Sequence, residues 1–463
     1  MQRLLAAARP FLGSRSFYRS ALSVMVPVTI QQLINNLFNM TDSLMVGSLD
    51  INGLAISAVT VANKPYLVFF GVFFGLMGAG GLMISQYYGA KDLKTCQGLF
   101  SLQMGLGLLN ALLFCVLLYA FPEQTMRIFV ADEYTVELGV RYLRIVCFSY
   151  IPVAVSSVCI LSTRSLGQNK MTMQVSLIAM SVNVVLNYVF IFGKLGLPAM
   201  GVEGAAIGTV ASRIVEMLVY IYLLWRRRMV FSTDLLAFRR LKRGVIRVYA
   251  GKAVPLICNE LLWTMGLNIY FWAYARLNEA AVPAITIAEQ GSQVAAVMAM
   301  GTSSAVAVLI GAELGANRLQ TARESSKKLL SLVLMIGGLC ALVTIGLGLV
   351  LPYAFTLSAE LRRTTTEMTC ILALFAPASF VFSFCFYCLR IGGDTKGAML
   401  LDGGYMWLVP VPVSIAMALL FSQHISVTGA MFVVQFLMSI KAVIGLLLVR
   451  NGKWVRNITL DGQ

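Results

Sequence analysis

Gly89-Ala-Lys-Asp-Leu-Lys-Thr95 returns 226 positions later as Gly315-Ala-Asn-Arg-Leu-Gln-Thr321 (315 − 89 = 226), and this recurrence decides the fold. Gly, Ala, Leu and Thr keep their places in both copies. Arg164, Gly167 and Lys170 return as Arg390, Gly393 and Lys396 (390 − 164 = 226). Ala58-Val-Thr-Val-Ala62 resembles Ala284-Ile-Thr-Ile-Ala288, again at 226 (284 − 58). Val202, Gly204 and Ala205 match Val427, Gly429 and Ala430 at 225 (427 − 202), and Pro27 matches Pro255 at 228 (255 − 27). Matches this close to one shift mean that the chain carries two tandem copies of one unit.

The copies are built for a bilayer. Of the 463 residues, 59% are hydrophobic and 12% charged, where soluble domains carry about 25% charged residues. Apolar runs near 20 residues recur throughout, enough to cross roughly 30 Å of hydrocarbon. They lack period-2 alternation, so helices rather than a closed barrel satisfy the backbone. The expectation is an all-α integral membrane protein with about twelve transmembrane helices. The spans fall near 20–46, 52–86, 95–121, 134–160, 170–193 and 203–225, then 247–276, 280–312, 321–351, 360–390, 397–421 and 426–449. The domains are a lead over 1–19, an N-terminal six-helix lobe over 20–225, a basic linker over 226–246, a C-terminal lobe over 247–449 and a tail over 450–463. An even number of helices per copy makes the two repeats parallel, related by an axis along the membrane normal and facing each other across a central cleft.

The formal net charge of +16 raises the question of nucleic acid. The placement of the charge answers it. Basic residues collect in alternate loops: Lys91 with Lys94, Arg164 with Lys170, Arg226 to Arg228, Arg239 to Arg247, Arg318 to Lys328, Arg390 with Lys396, and Arg450 to Arg456. This is the positive-inside pattern, with both termini cytoplasmic and no nucleic-acid partner. The segment from Met1 to Arg19 is basic but lacks the apolar core and cleavage site of a signal peptide. Most of the nine cysteines sit in apolar runs and read as small buried hydrophobes. The one histidine, His424, falls in a short loop, which speaks against a His-driven enzyme or metal centre. No GxxxxGK[ST] loop supplies ATP drive, so the energy comes from an ion gradient.

Polar residues inside the spans mark the candidate site, because a carboxylate at bilayer depth costs about 2.5–3.5 kcal/mol. Asn35, Asn39 and Asp42 fall at i, i+4 and i+7 on one face of the first span. They are suited to hydrating a cleft and binding a proton or cation, or to an amide-rich helix contact. Asn183 and Asn187 stack at i, i+4 in the fifth span, and Thr209 of the sixth stands to join them. Their oxygens suit Na⁺, and equally suit ordinary interhelical hydrogen bonds. In the seventh span Pro255, Asn259, Glu260 and Trp263 crowd together, with Thr264 and Trp263 on the face of Glu260. A carboxylate beside an aromatic fits an organic cation, or else is satisfied by a neighbouring helix. Glu289 of the eighth span is a weaker candidate of the same kind. Arg213 and Glu216, at i, i+3, read as a mutual pair.

These stretches resemble the multidrug and toxic compound extrusion (MATE) family, bacterial type. The resemblance rests on Pro27 with Met40-Thr-Asp-Ser-Leu-Met-Val-Gly47, on Ile84-Ser-Gln-Tyr-Tyr-Gly-Ala90, on Asn183-Val-Val-Leu-Asn-Tyr-Val-Phe-Ile191 and on Gly201-Val-Glu-Gly-Ala-Ala206. In the second half it rests on Gly251-Lys-Ala-Val-Pro255 and Leu389-Arg-Ile-Gly-Gly-Asp394. It implies an antiporter, not an enzyme, that exports diverse, often cationic amphipathic compounds in exchange for Na⁺ or H⁺ by alternating access. It makes Asp42 the ion-coupling acid, with Asn183, Asn187 and Thr209 facing it, and it makes Asp42, Asn183 and Asn187 the place for Na⁺. Pro27 is the bend-forming proline, with Pro255 its counterpart. Glu260 matches the seventh-span Glu of a second branch, and with Asn35, Asn39, Trp263 and Glu289, taken from the residues themselves, it makes the expected substrate-binding set. Asn187 is an amide where some members carry Asp, and Ser379 stands where a second branch has an acid. The expected setting is a monomer in the bacterial inner (plasma) membrane, with small-molecule substrates and no cofactor beyond the coupling ion. The alternative is a flippase for lipid-linked sugars. Such a flippase needs cations inside its spans, where few Lys or Arg are expected.

Overall fold

The duplication is visible in the backbone torsions alone. The computed structural model describes residues 13–47, 54–128, 132–227, 229, 231, 234, 236–278, 281–353, 358–421 and 424–459. Lys91 and Asn317 both take the left-handed conformation, at φ 62° and 57°, and their positions differ by 226 (317 − 91). Gly167 and Gly393 do the same at φ 77° and 83°, again 226 apart (393 − 167). Hydrogen bonds around these turns match pair for pair: Gly167 N to Arg164 O and Gly393 N to Arg390 O, Lys91 N to Tyr88 O and Asn317 N to Leu314 O. A left-handed turn ends one helix and starts the next, and glycine or asparagine is the residue that takes it without steric cost. Lys91 carries a small penalty there.

The first copy runs α1 (Arg15–Gly47), α2 (Leu54–Ala62), α3 (Lys64–Gly89), α4 (Leu93–Ala120), α5 (Pro122–Arg127), α6 (Glu133–Val146), α7 (Tyr150–Ser165), α8 (Asn169–Phe192) and α9 (Gly201–Arg226). The second runs α10 (Arg243–Leu277), α11 (Val282–Gly315), α12 (Leu319–Val350), α13 (Ala359–Ile391), α14 (Thr395–Met399), α15 (Tyr405–Leu408), α16 (Pro410–Leu420) and α17 (Val427–Asn451). Ten segments among the described residues are long and apolar enough to cross a membrane. α1 and α10, of 33 and 35 residues, are also of membrane length. Starts are capped where the sequence supplies an oxygen. Asp92 accepts from Thr95 N, Ser358 from Leu361 N and Ser426 from Gly429 N. Asp132 caps α6, and the Thr135 hydroxyl and amide hold its carboxyl below the usual range.

The eleventh span departs from a plain helix. A π turn, Leu400–Gly404, joins α14 to α15. The helix then breaks at Val409, because Pro410 lacks an N–H and crowds the residue before it.

The chain forms two compact units, one of Ile30–Ile84 with Asp92–Ile246, the other of Met1–Thr29, Ser85–Lys91 and Arg247–Gln463. The first unit is packed around aromatics, with Phe69 and Tyr150 ring centroids 4.8 Å apart and the tilted Phe73 ring 5.7 Å from Phe69. In the other unit Tyr270, Tyr274, Ile285, Met406 and Met431 share one buried cluster. That unit also contains the ends of α3 and α11, which cross reciprocally. A Cβ on Gly89 would collide with Ala312 O, and one on Gly315 with Gln86 O. Residue 86 is the counterpart of 312, and 89 of 315, at the same shift of 226. Gly311 abuts Ser85, its own counterpart (311 − 85 = 226). Reciprocal contacts of this kind arise where equivalent elements meet about a two-fold relation.

Candidate functional site: matched polar sets in the two repeats

In the first unit α8 and α9 pack through small residues. Gly204 leaves no room for a Cβ against Phe190 O, and Gly208 leaves none against Asn187 Oδ1. This small-residue spacing, Gly204 to Gly208 to Ser212, lets two helix backbones approach closely. Asn183 and Asn187 are both fully buried, and Asn187 Nδ2 donates to Asn183 Oδ1 at 3.3 Å. Asn183 Nδ2 donates to Ser212 Oγ at 3.4 Å, and Ser212 donates to Thr209 O at 2.8 Å. The structure therefore joins Asn183, Asn187 and Thr209, the last through its carbonyl. It adds Ser212, which the sequence reading missed although it lies one turn beyond Thr209. The α1 backbone is helical through Asn35, Asn39 and Asp42, but the side chains of these three lie outside the described residues. Arg213 and Glu216 form the expected pair at 3.0 Å.

A second polar set ties α1 to the fourth and fifth spans of this unit. Gln31, 1% exposed, donates to Ser176 Oγ at 2.8 Å. Its other end accepts from Arg164 at 2.6 Å.

The other unit holds the equivalent set in charged form. Asn259, the counterpart of Gln31 (259 − 31 = 228), donates to Asp402 Oδ2 at 3.1 Å. Asp402 is the counterpart of Ser176 (402 − 176 = 226), so the same contact recurs. Asn259 Oδ1 accepts from Gly403 N at 3.0 Å. Lys441 donates to Asp402 Oδ1 at 2.8 Å, with side-chain exposures of 1% and 9%. Its ammonium also lies 4.8 Å above the Phe382 ring. Arg390, counterpart of Arg164, reaches Glu260 at 3.5 Å.

This set corrects two sequence readings. Arg390 was expected as a loop cation, but α13 runs on to Ile391 and buries its guanidinium against a carboxylate. Few cations were expected inside the spans, yet Lys441 lies in mid-α17. A single Lys in an apolar run gives no local signal, because its acid is 39 residues away. A signal did exist in the repeat. Aligning Lys441 with Glu216 (441 − 225 = 216) exposes a charge reversal at one place.

The remaining candidates are placed as follows. Trp263 is 42% exposed. Thr264 donates to the Glu260 carbonyl at 2.9 Å. Glu289 is exposed, and its carbonyl accepts from Ser292. Ser379 bonds back to Phe375 O at 3.3 Å. Pro27 and Pro255 lie inside α1 and α10. Cys385 and Cys388 stand at a Cys-x-x-Cys spacing and are buried free thiols on α13.

Ten apolar segments of membrane-crossing length among the described residues, an internal duplication and polar sets buried within the spans define a polytopic membrane transporter. The family model MatE matches the chain twice, over residues 27–189 and 255–418, with starts 228 apart (255 − 27). The chain thus belongs to the MatE (multidrug and toxic compound extrusion) family. It is 24% identical over 437 residues to a probable multidrug resistance protein NorM of Listeria innocua, across 92% of this chain and 94% of that one. It is 22% identical to the multidrug resistance protein MdtK of Yersinia enterocolitica, across 85% and 86%. In fold it matches the bent form of the Vibrio cholerae MATE transporter VcmN with a TM-score of 0.85, at 18% identity, over 97% and 99% of the two chains.

Proposed function

We propose that this protein exports organic, often cationic, amphipathic compounds across a bacterial inner membrane in exchange for Na⁺ or H⁺, as a monomer with cytoplasmic termini. The observation that carries the reading is membership of the MatE family over both repeats, with relatives named as multidrug resistance proteins along nearly their whole length. Alternating access follows from two parallel repeats that move against each other. Asp42 is the coupling acid. Asn183, Asn187 and Thr209 stand as its polar support, and Na⁺ finds oxygens at Asp42, Asn183 and Asn187. Asn35, Asn39, Glu260, Trp263 and Glu289 contact substrate, and an organic cation arriving at Glu260 takes over the place held by Arg390. Pro27 and Pro255 provide the helix bends. The cations found inside the second repeat are matched by Asp402 and Glu260, which disfavours a flippase that holds a lipid pyrophosphate.

The test is ethidium efflux from proteoliposomes under separately imposed Na⁺ and H⁺ gradients. Asp42→Asn is expected to abolish gradient-driven efflux with expression intact. Normal driven efflux by that variant removes Asp42 from coupling. Glu260→Gln is expected to weaken efflux of ethidium and other organic cations more than that of neutral dyes. An effect confined to neutral dyes rules out the cation contact.

A further inference from the structure

The two repeats provide an internal control for each buried group, and one group fails it. Gln31 and Ser176 hold the first and fifth spans of the N-terminal repeat together through neutral side chains, with Arg164 donating to Gln31 and no carboxylate in the contact. At the same two places the C-terminal repeat has Asn259 and Asp402, and it adds Lys441 from its last span. The fold can therefore make this junction without a carboxylate, the charge there being Arg164, which donates to Gln31. A buried ion pair is weak evidence for stability, because desolvating two charges offsets most of their attraction. In a bilayer, ionisable side chains facing the bundle interior mark ion pathways. A second observation points to the same residue. Asp402 sits within the π turn Leu400–Gly404, while the equivalent stretch 174–178 is regular α-helix. A π turn within a helix is uncommon and tends to occur at functional positions.

We propose that Asp402 is a proton-exchange site of the C-terminal repeat, with Lys441 as its built-in counter-cation. This deepens the ion-coupled reading above and rests on it. The ligand is a proton rather than a metal ion because the coordination is already committed. One carboxylate oxygen accepts from Lys441, the other from Asn259, and Asn259 Oδ1 accepts from Gly403 N. A proton needs one lone pair, whereas Na⁺ needs a shell of oxygens. Protonation forms one O–H bond on Asp402 as a hydronium ion gives up one of its own and leaves as water. The pair passes from net zero to +1, with Lys441 still an ammonium.

That ammonium is then left buried over the Phe382 ring without its counter-charge, so α17 and the π turn have reason to shift. The groups facing Asp402 fix where the change is felt. Lys441 faces it from α17, above Phe382 of α13. Asn259 faces it from α10, with Glu260 and Tyr270 of the same helix at electrostatic range. Glu260 is in turn held by Arg390 of α13. Asn259 and Glu260 are adjacent in sequence, so the protonation state of Asp402 bears directly on the Glu260–Arg390 pair.

The test counts protons moved per ethidium exported, using pyranine inside proteoliposomes. The doubly neutral Asp402→Asn/Lys441→Met protein, with Asp402→Ser/Lys441→Met as a version carrying the residue of the N-terminal repeat, is expected to lower that count relative to wild type. A gradient-driven efflux rate about tenfold lower is expected with it, the scale of a typical coupling energy. An unchanged count makes the pair structural and overturns the inference while leaving ion-coupled export intact. Wild-type efflux driven by Na⁺ with no proton movement does the same. No gradient-driven efflux by wild type under either ion overturns both readings. The wild-type fold supplies a second measurement that needs no double variant. Acid-minus-alkaline infrared difference spectra are expected to show a protonated-carboxyl band that survives Asp42→Asn and Glu260→Gln. A band fully removed by those two substitutions overturns the assignment.

Discussion

Arg390 and Glu260 illustrate how one contact changes the meaning of a residue. Glu260 alone is a costly buried charge, and a guanidinium at 3.5 Å makes it tolerable. Removing one partner of such a pair costs more than removing both, since the survivor stays buried without compensation. Arg390→Ala is expected to destabilise the protein by about 3 kcal/mol. Arg390→Met with Glu260→Gln is expected to cost clearly less than that single change. Thermal unfolding in detergent, followed by intrinsic fluorescence, measures both. Equal losses in the two proteins mean that the pair contributes no coupling.

At the scale of elements, the α8–α9 contact depends on what is absent. Gly204 and Gly208 present backbone to α8, and the Asn187 amide occupies the space a methyl group would fill. Without a hydrophobic driving force between helices in lipid, close van der Waals packing and interhelical hydrogen bonds carry the association. Gly208→Ala is therefore expected to lower stability by about 1–3 kcal/mol through overpacking. It is also expected to reduce transport, because it displaces Asn187. A melting temperature equal to that of wild type shows that the interface yields at no cost. The Gly-x-x-x-Gly spacing was present in the sequence. Its partner was not, because nothing along the chain says which helix lies against that face.

Over the whole molecule, the segment after α17 acts as a brace. The left-handed Gly452 turns the chain back, and Trp454 is buried at 1% exposure with its indole N–H donating to Val449 O at 2.9 Å. Ile458 N donates to Gln86 Oε1 at 2.8 Å, while Gln86 Nε2 donates to Ile391 O at 2.6 Å. Asn457 reaches Gly315 O at 3.3 Å. One short segment thus bonds to the ends of α3 and α11, and through Gln86 to the end of α13. Trp454→Ala is expected to cost about 3–5 kcal/mol. It is also expected to make the segment after Gly452 sensitive to limited proteolysis. A protease-resistant variant with unchanged melting contradicts the brace.

The sequence by itself determined the helical membrane class and the duplication, through local apolarity and residues recurring at one shift, and its motifs carried the family resemblance. It also singled out Asn183, Asn187, Thr209 and Glu260 as candidates, because a polar residue in an apolar run stands out wherever it points. Only the tertiary structure decided what those residues touch. Lys441 meets Asp402 across 39 residues, and Gln86 meets Ile458 across 372. Such pairings follow from helix packing rather than spacing. The first repeat makes the junction with a neutral serine and the second with a charged pair, a difference that became chemical only when both were seen in place.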